Sequence, residues 1–127
     1  MSKKRMVLVG IVVGTLVGLF GTASKARAAD VLNLNSVTQA TGPQVEGSGT
    51  YSTAATLVYI HLVVVDPNGV TVSTTNATEI NLDWSSISNA TGSLTVGVTY
   101  AVHAEMRTKT NGINNDTITA AMQIKIK

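Results

Sequence analysis

The sequence contains no cysteine, two prolines, two histidines and one phenylalanine, and only 13% of its 127 residues are charged. Without cysteine there is no disulfide framework, no thiolate nucleophile and no sulfur-ligated metal. Two histidines and scattered carboxylates supply neither a metal cage nor a Ser-His-Asp arrangement. No nucleophile elbow, phosphate loop or HExxH segment occurs. These shortages predict a protein that is not an enzyme and takes no cofactor and no metal.

What is present is unevenly spread. Lys3, Lys4 and Arg5 precede the apolar run Met6 to Phe20, and small residues follow at Ala26, Ala28 and Ala29. A positive start, an apolar middle and a small-residue cleavage site are the order of a secretory signal peptide. The sequence predicts a leader over 1–28 and a single exported domain over 29–127, secreted to the extracellular space, periplasm or cell surface. An uncleaved anchor is the alternative, because Met6 to Ala23 approaches the ~20 apolar residues that cross a bilayer. Membrane contact is thus expected only through the leader.

Beyond the leader, four basic residues (Arg107, Lys109, Lys125, Lys127) stand against seven acids. A mildly acidic domain with dispersed charge has no footprint for nucleic acid. Arg107 and Lys109 read as a solvated loop edge.

From Ala29 onward there are 16 Thr, 12 Val and 7 Ile, side chains that favour pleated surfaces. Period-two alternation recurs where helical spacing does not. Strands are expected over Val31–Val37, Gln44–Tyr51, Thr56–Val65, Val70–Ser73, from Leu94 onward, and from Thr117 through Lys127. Asp66-Pro67-Asn68-Gly69 reads as a turn, and Thr108–Asp116, containing Asn111-Gly112, as a hairpin loop. In the region 79–93, Ile80, Leu82 and Trp84 alternate with Asn81 and Asp83 in the manner of a strand, with Glu79 and Asp83 on one face. About seven short antiparallel strands at such spacing indicate an all-β sandwich.

The run Leu94-Thr-Val-Gly97-Val-Thr-Tyr100-Ala-Val102-His-Ala104 resembles the corner and following strand of fibronectin type III and bacterial immunoglobulin-like domains, whose pattern is L-x-P-G-x-x-Y-x-V-x-A. Val96 stands where the Pro would be, and Trp84 comes later than in fibronectin type III. The resemblance implies an immunoglobulin-like sandwich, a structural tyrosine corner formed by Leu94, Gly97 and Tyr100, and roles in binding, adhesion or spacing at cell surfaces.

On the outward face of the central strand, Leu57, Tyr59, His61, Val63 and Val65 form a mainly apolar stripe. Aligning the ends of Thr56–Val65 with those of the strand from Val98 places His61 almost opposite His103, with Tyr59 and Glu105 close by. Tyr59, His61, Val63, His103 and Glu105 are therefore the candidate protein interface. A histidine pair also suits pH sensing or a divalent metal, but two imidazoles without a third ligand read better as solvated surface residues. Asp66 and Asn68 in one loop and Asn114–Asp116 in another suggest calcium, yet the topology sends these loops to opposite ends. Asn-x-Thr sequons begin at Asn76, Asn89 and Asn115 and matter only in a glycosylating host.

The expectation is an exported, non-catalytic binding or structural module acting through a protein partner or self-association. A filament subunit assembling by strand addition, with Ala29–Asn33 as donor, is the first alternative. A small carbohydrate-binding module or secreted enzyme is the second.

Overall fold

The computed structural model describes residues 29–89 and 94–127, so the expected leader over 1–28 lies outside the described residues. The chain divides into Met1–Asp30 and Val31–Lys127, and every described strand belongs to the second unit. The fold is all-β: two antiparallel sheets and no helix among the described residues. The first sheet runs β1 (Val31–Ala40), β2 (Gln44–Ser52), β6 (Asp83–Ile87), β5 (Thr78–Ile80). In the second, β4 (Thr71–Asn76), β3 (Thr56–Val65) and β7 (Thr99–Thr110) are followed by β8 (Ile113–Ile118) and β9 (Met122–Lys125), which pair with successive stretches of β7.

The core lies between the inward-facing rows, as expected of a sandwich. Leu32, Val45 and Trp84 from the first sheet meet Ile60, Leu62, Val64, Tyr100, Val102, Ala104 and Met106 from the second. Alternation makes this possible: along β7 the even residues Tyr100 to Thr108 are buried and the odd ones face outward. Ala77 is the joint at which the chain leaves β4 in one sheet and enters β5 in the other, and its N–H donates to the Ile60 carbonyl.

Glycine shapes the inner face of β2. Gly47 and Gly49 leave the space that Leu62 and the Trp84 indole occupy. The Trp84 Nε1 donates across that gap to the Asn33 carbonyl at 3.1 Å, beside an irregularity of β1 between Leu34 and Ser36. At the open side of β1 the Gln39 amide acts like a peptide group, accepting from the Lys127 N–H at 2.8 Å and donating to its carbonyl at 3.1 Å. The proposed donor segment is already engaged, since Val31, Leu32 and Asn33 pair with Ser52, Tyr51 and Thr50.

Several strand expectations need correction. Residues 79–84 are not one strand: Asn81 and Leu82, with φ of 52° and 70°, form a two-residue turn between β5 and β6. Glu79 and Asp83 consequently sit on different strands, opposite Trp84 and Ile80 respectively, and share no face. The strand expected from Leu94 begins at Thr99. The stretch expected to alternate evenly from Thr117 breaks between Ile118 and Met122, where Thr119 N and Oγ1 grip the backbone of Ala104. Ile118, paired opposite the outward-facing Glu105, is 63% exposed on the outer face. The Thr108–Asp116 loop shrinks to the two residues Asn111-Gly112, because pairing runs up to Thr110 with Ile113.

Before β7, Gly97 adopts φ 91°, a left-handed conformation that side chains disfavour. The chain folds back there, and the Tyr100 hydroxyl accepts the Thr95 N–H at 2.7 Å while its ring is 2% exposed. Leu94 is buried beside it in the core cluster. Tyr100→Phe keeps the ring but withdraws the acceptor from that amide, so it is expected to lower stability by about 1.5 kcal/mol. Urea unfolding with an unchanged slope would show this; a loss below about 0.5 kcal/mol would mean that the hydroxyl is structurally idle.

Candidate functional site

The outer face of the second sheet gathers most of the sequence-predicted residues, but in a different register. A bulge between Leu57 and Tyr59 shifts β3 along β7, so Tyr59 faces Arg107, His61 faces Glu105 and Val63 faces His103. The two histidines are diagonal neighbours, not opposite partners. The same bulge turns Leu57 inward, opposite buried Thr108, where it packs on the core and leaves the outward stripe. Val63 is 5% exposed and so offers no contact surface of its own. Tyr59, His61, His103 and Glu105 are half-buried.

Arg107, expected on a loop edge, is the centre of the face. Its Nε and Nη2 donate to the two carboxylate oxygens of Asp116 at 2.7 and 2.9 Å, a two-pronged fork. Those hydrogen bonds hold the Asp116 carboxyl below the usual carboxylate range and raise the guanidinium above its own ordinary value. So fixed, the guanidinium carbon lies 5.4 Å from the centre of the Tyr59 ring, within cation–π reach. Tyr59 in turn stacks on His61, with ring centres 3.8 Å apart and planes within 7°. On the neighbouring strand, the His103 Nε2 lies 2.9 Å from the Glu105 Oε2.

The result is a continuous row running Asp116, Arg107, Tyr59, His61, flanked by the Glu105–His103 pair. It has no nucleophile activated by a base. The imidazoles are committed to different neighbours, one to a phenol ring and the other to a carboxylate. Among the described residues no group of three or more His, Asp or Glu is arranged to hold a metal ion. The calcium loops are also spoken for: Asp66 Oδ1 accepts the N–H groups of Asn68 and Val70, and Asp116 is bound to Arg107.

The pairing of Arg107 with Asp116 is hidden by a loop spanning Thr108–Asp116 and follows from the shorter turn that is present. A two-residue Asn-Gly turn fixes the register of its strands, and counting outward from Asn111 and Gly112 puts Arg107 opposite Asp116. No protein-family model, curated protein or solved structure matches the chain.

Proposed function

We propose that the protein is an exported, non-catalytic binding module of immunoglobulin-like, fibronectin type III-like architecture, and that a partner protein docks on the outer face of its second sheet. The observation carrying this reading is the row Arg107, Tyr59 and His61, braced at one end by Asp116. Arginine and tyrosine dominate the energetics of protein interfaces when they are held rigid and presented centrally. Here neighbouring side chains restrict both before any partner arrives, which lowers the ordering cost of association. The order of charged, apolar and small residues over 1–28 supports export, and the Leu94–Ala104 pattern supports the family resemblance.

A photo-crosslinking amino acid at His61 tests the reading in the producing cell. The expected result is one covalent adduct of defined mass with a protein partner, abolished by Arg107→Ala and absent when the probe sits at the distant Asn68 turn. Failure to form an adduct at His61, or an adduct indifferent to Arg107→Ala, overturns it. An adduct of twice the chain mass would identify self-association as the form the interface takes.

A further inference from the structure

A concave site lies on the other sheet. The outer face of the first sheet holds a groove of about 570 Å³, within the size range of ligand sites. Its floor is made by β2 and β6, where Ser48 pairs with Ser85 and Thr50 with Asp83. One wall is Asn35, in the irregular stretch of β1; the other is β5 with Thr78 and Ile80, continued by Asn81 of the turn into β6.

Three observations define what such a groove would accept. The first is charge: every charged side chain on the four strands of this sheet is acidic, namely Glu46, Glu79 and Asp83, and only Asp83 lines the groove. Asp83 has no ion pair with any described basic residue: Arg107, Lys109 and Lys125 belong to the other sheet, with Arg107 paired to Asp116, and Lys127 lies beside Gln39 on β1. The second is adjacency. Ile80 pairs directly with Asp83 and is 67% exposed, so an aliphatic surface stands beside a carboxylate on one face. Lysine and arginine have this composition in reverse, a methylene stem ending in a cation. The third is the hydroxyl-bearing floor of Ser48, Thr50 and Ser85, which offers donors and acceptors to a peptide backbone.

We propose that this groove binds an extended basic peptide segment of a partner protein, with a lysine or arginine stem on Ile80 and its cationic head on Asp83. The groove lacks an exposed aromatic ring on which a sugar face would stack, since its one ring, Trp84, is 1% exposed. The site is separate from the Arg107–Tyr59–His61 face, so either can fail without the other.

The test is an amide NMR titration of the full chain with the blocked peptide acetyl-Gly-Gly-Arg-Gly-Gly-amide. Saturable shifts are expected at Ser48, Thr50 and Ser85. Asp83→Asn is expected to weaken binding at least about fivefold, since it removes a charged hydrogen bond. Ile80→Ser, which leaves the charge intact, should weaken it by about twofold to fivefold through lost stem contact. The same peptide with norleucine for arginine should leave the spectrum unchanged. Non-saturating shifts spread equally over Glu46, Glu79 and Asp83 would reduce the effect to general charge attraction and overturn the proposal. So would undiminished binding by Asp83→Asn, or saturation of the same amides by a chito-oligosaccharide in place of the peptide. Both variants are at exposed positions, and a well-dispersed amide spectrum verifies that each remains folded.

Discussion

Trp84→Ala is expected to lower the unfolding free energy by about 4 kcal/mol. The side chain is 1% exposed and is the largest fully buried one in the core. It stands on β6 opposite Gly49, between the two sheets. Deleting a buried indole therefore forfeits its transfer free energy and leaves a cavity whose lining loses contacts. The carbonyl of Asn33 loses its donor at the same time. Domains of this size are held by only about 5–15 kcal/mol, so the variant stands near the limit of folding. Trp84→Phe keeps most of the volume and isolates the second effect: its expected cost is about 2 kcal/mol, chiefly from the abandoned carbonyl. Urea unfolding of the two variants beside the parent decides the matter. Equal losses for Phe and Ala would mean that the indole hydrogen bond, not volume, is what the core needs. A loss below about 1 kcal/mol for Ala would mean that the sheets close over the gap.

The architecture was legible because alternation is a local signal. The even residues from Tyr100 to Met106 face the core as their pattern requires, and Thr56–Val65 is a strand flanked on both sides, as an unbroken apolar run suggests. What escaped were the places where one residue breaks the alternation. The turn at Asn81-Leu82 was invisible because leucine occupies a position with positive φ that normally signals itself through glycine. A leucine there costs about 1–2 kcal/mol relative to the right-handed region. The turn is held nonetheless, since the Leu82 carbonyl accepts the Tyr51 N–H at 2.9 Å.

The outer face of the second sheet was legible in its residue types and illegible in its register. Bulges carry no compositional mark in β3, where every residue from Leu57 to Val65 other than His61 is apolar or aromatic. Yet the bulge beside Tyr59 decides which cross-strand partner each side chain meets. It put Tyr59 under Arg107 and moved Leu57 into the core. The groove on the first sheet was harder still, because it depends on an irregularity in β1 and a turn far along the chain rising on either side of a floor of serine and threonine.

Gly49→Ala is expected to be the most damaging small substitution in the chain, at about 3 kcal/mol. A β-carbon at this position would overlap the Asn33 carbonyl oxygen and approach the Trp84 Nε1 to 3.0 Å. The obstacle is backbone, which cannot rotate away, and it is the acceptor of the indole hydrogen bond. Relief requires β1 to move off β2, which disrupts the Leu34–Gly49 pairing and lengthens the Trp84–Asn33 bond together. Gly47→Ala is the control two residues earlier on the same face. There the added carbon meets Leu62 Cδ1 at 2.5 Å, the end of a side chain with other rotamers, and about 1 kcal/mol is the expected loss. If one carbonyl joins the two strain sources, the losses from Gly49→Ala and Trp84→Phe cannot add. Once the indole N–H is gone, shifting Asn33 still disturbs the Leu34–Gly49 pairing but no longer breaks the indole bond, and the double variant should be more stable than the sum of the single losses by about 1 kcal/mol. A double-mutant cycle read from denaturation midpoints measures that coupling. Strict additivity would show that Gly49 and Trp84 act on the core through unrelated contacts, and Gly49→Ala no worse than Gly47→Ala would show that β1 is free to yield.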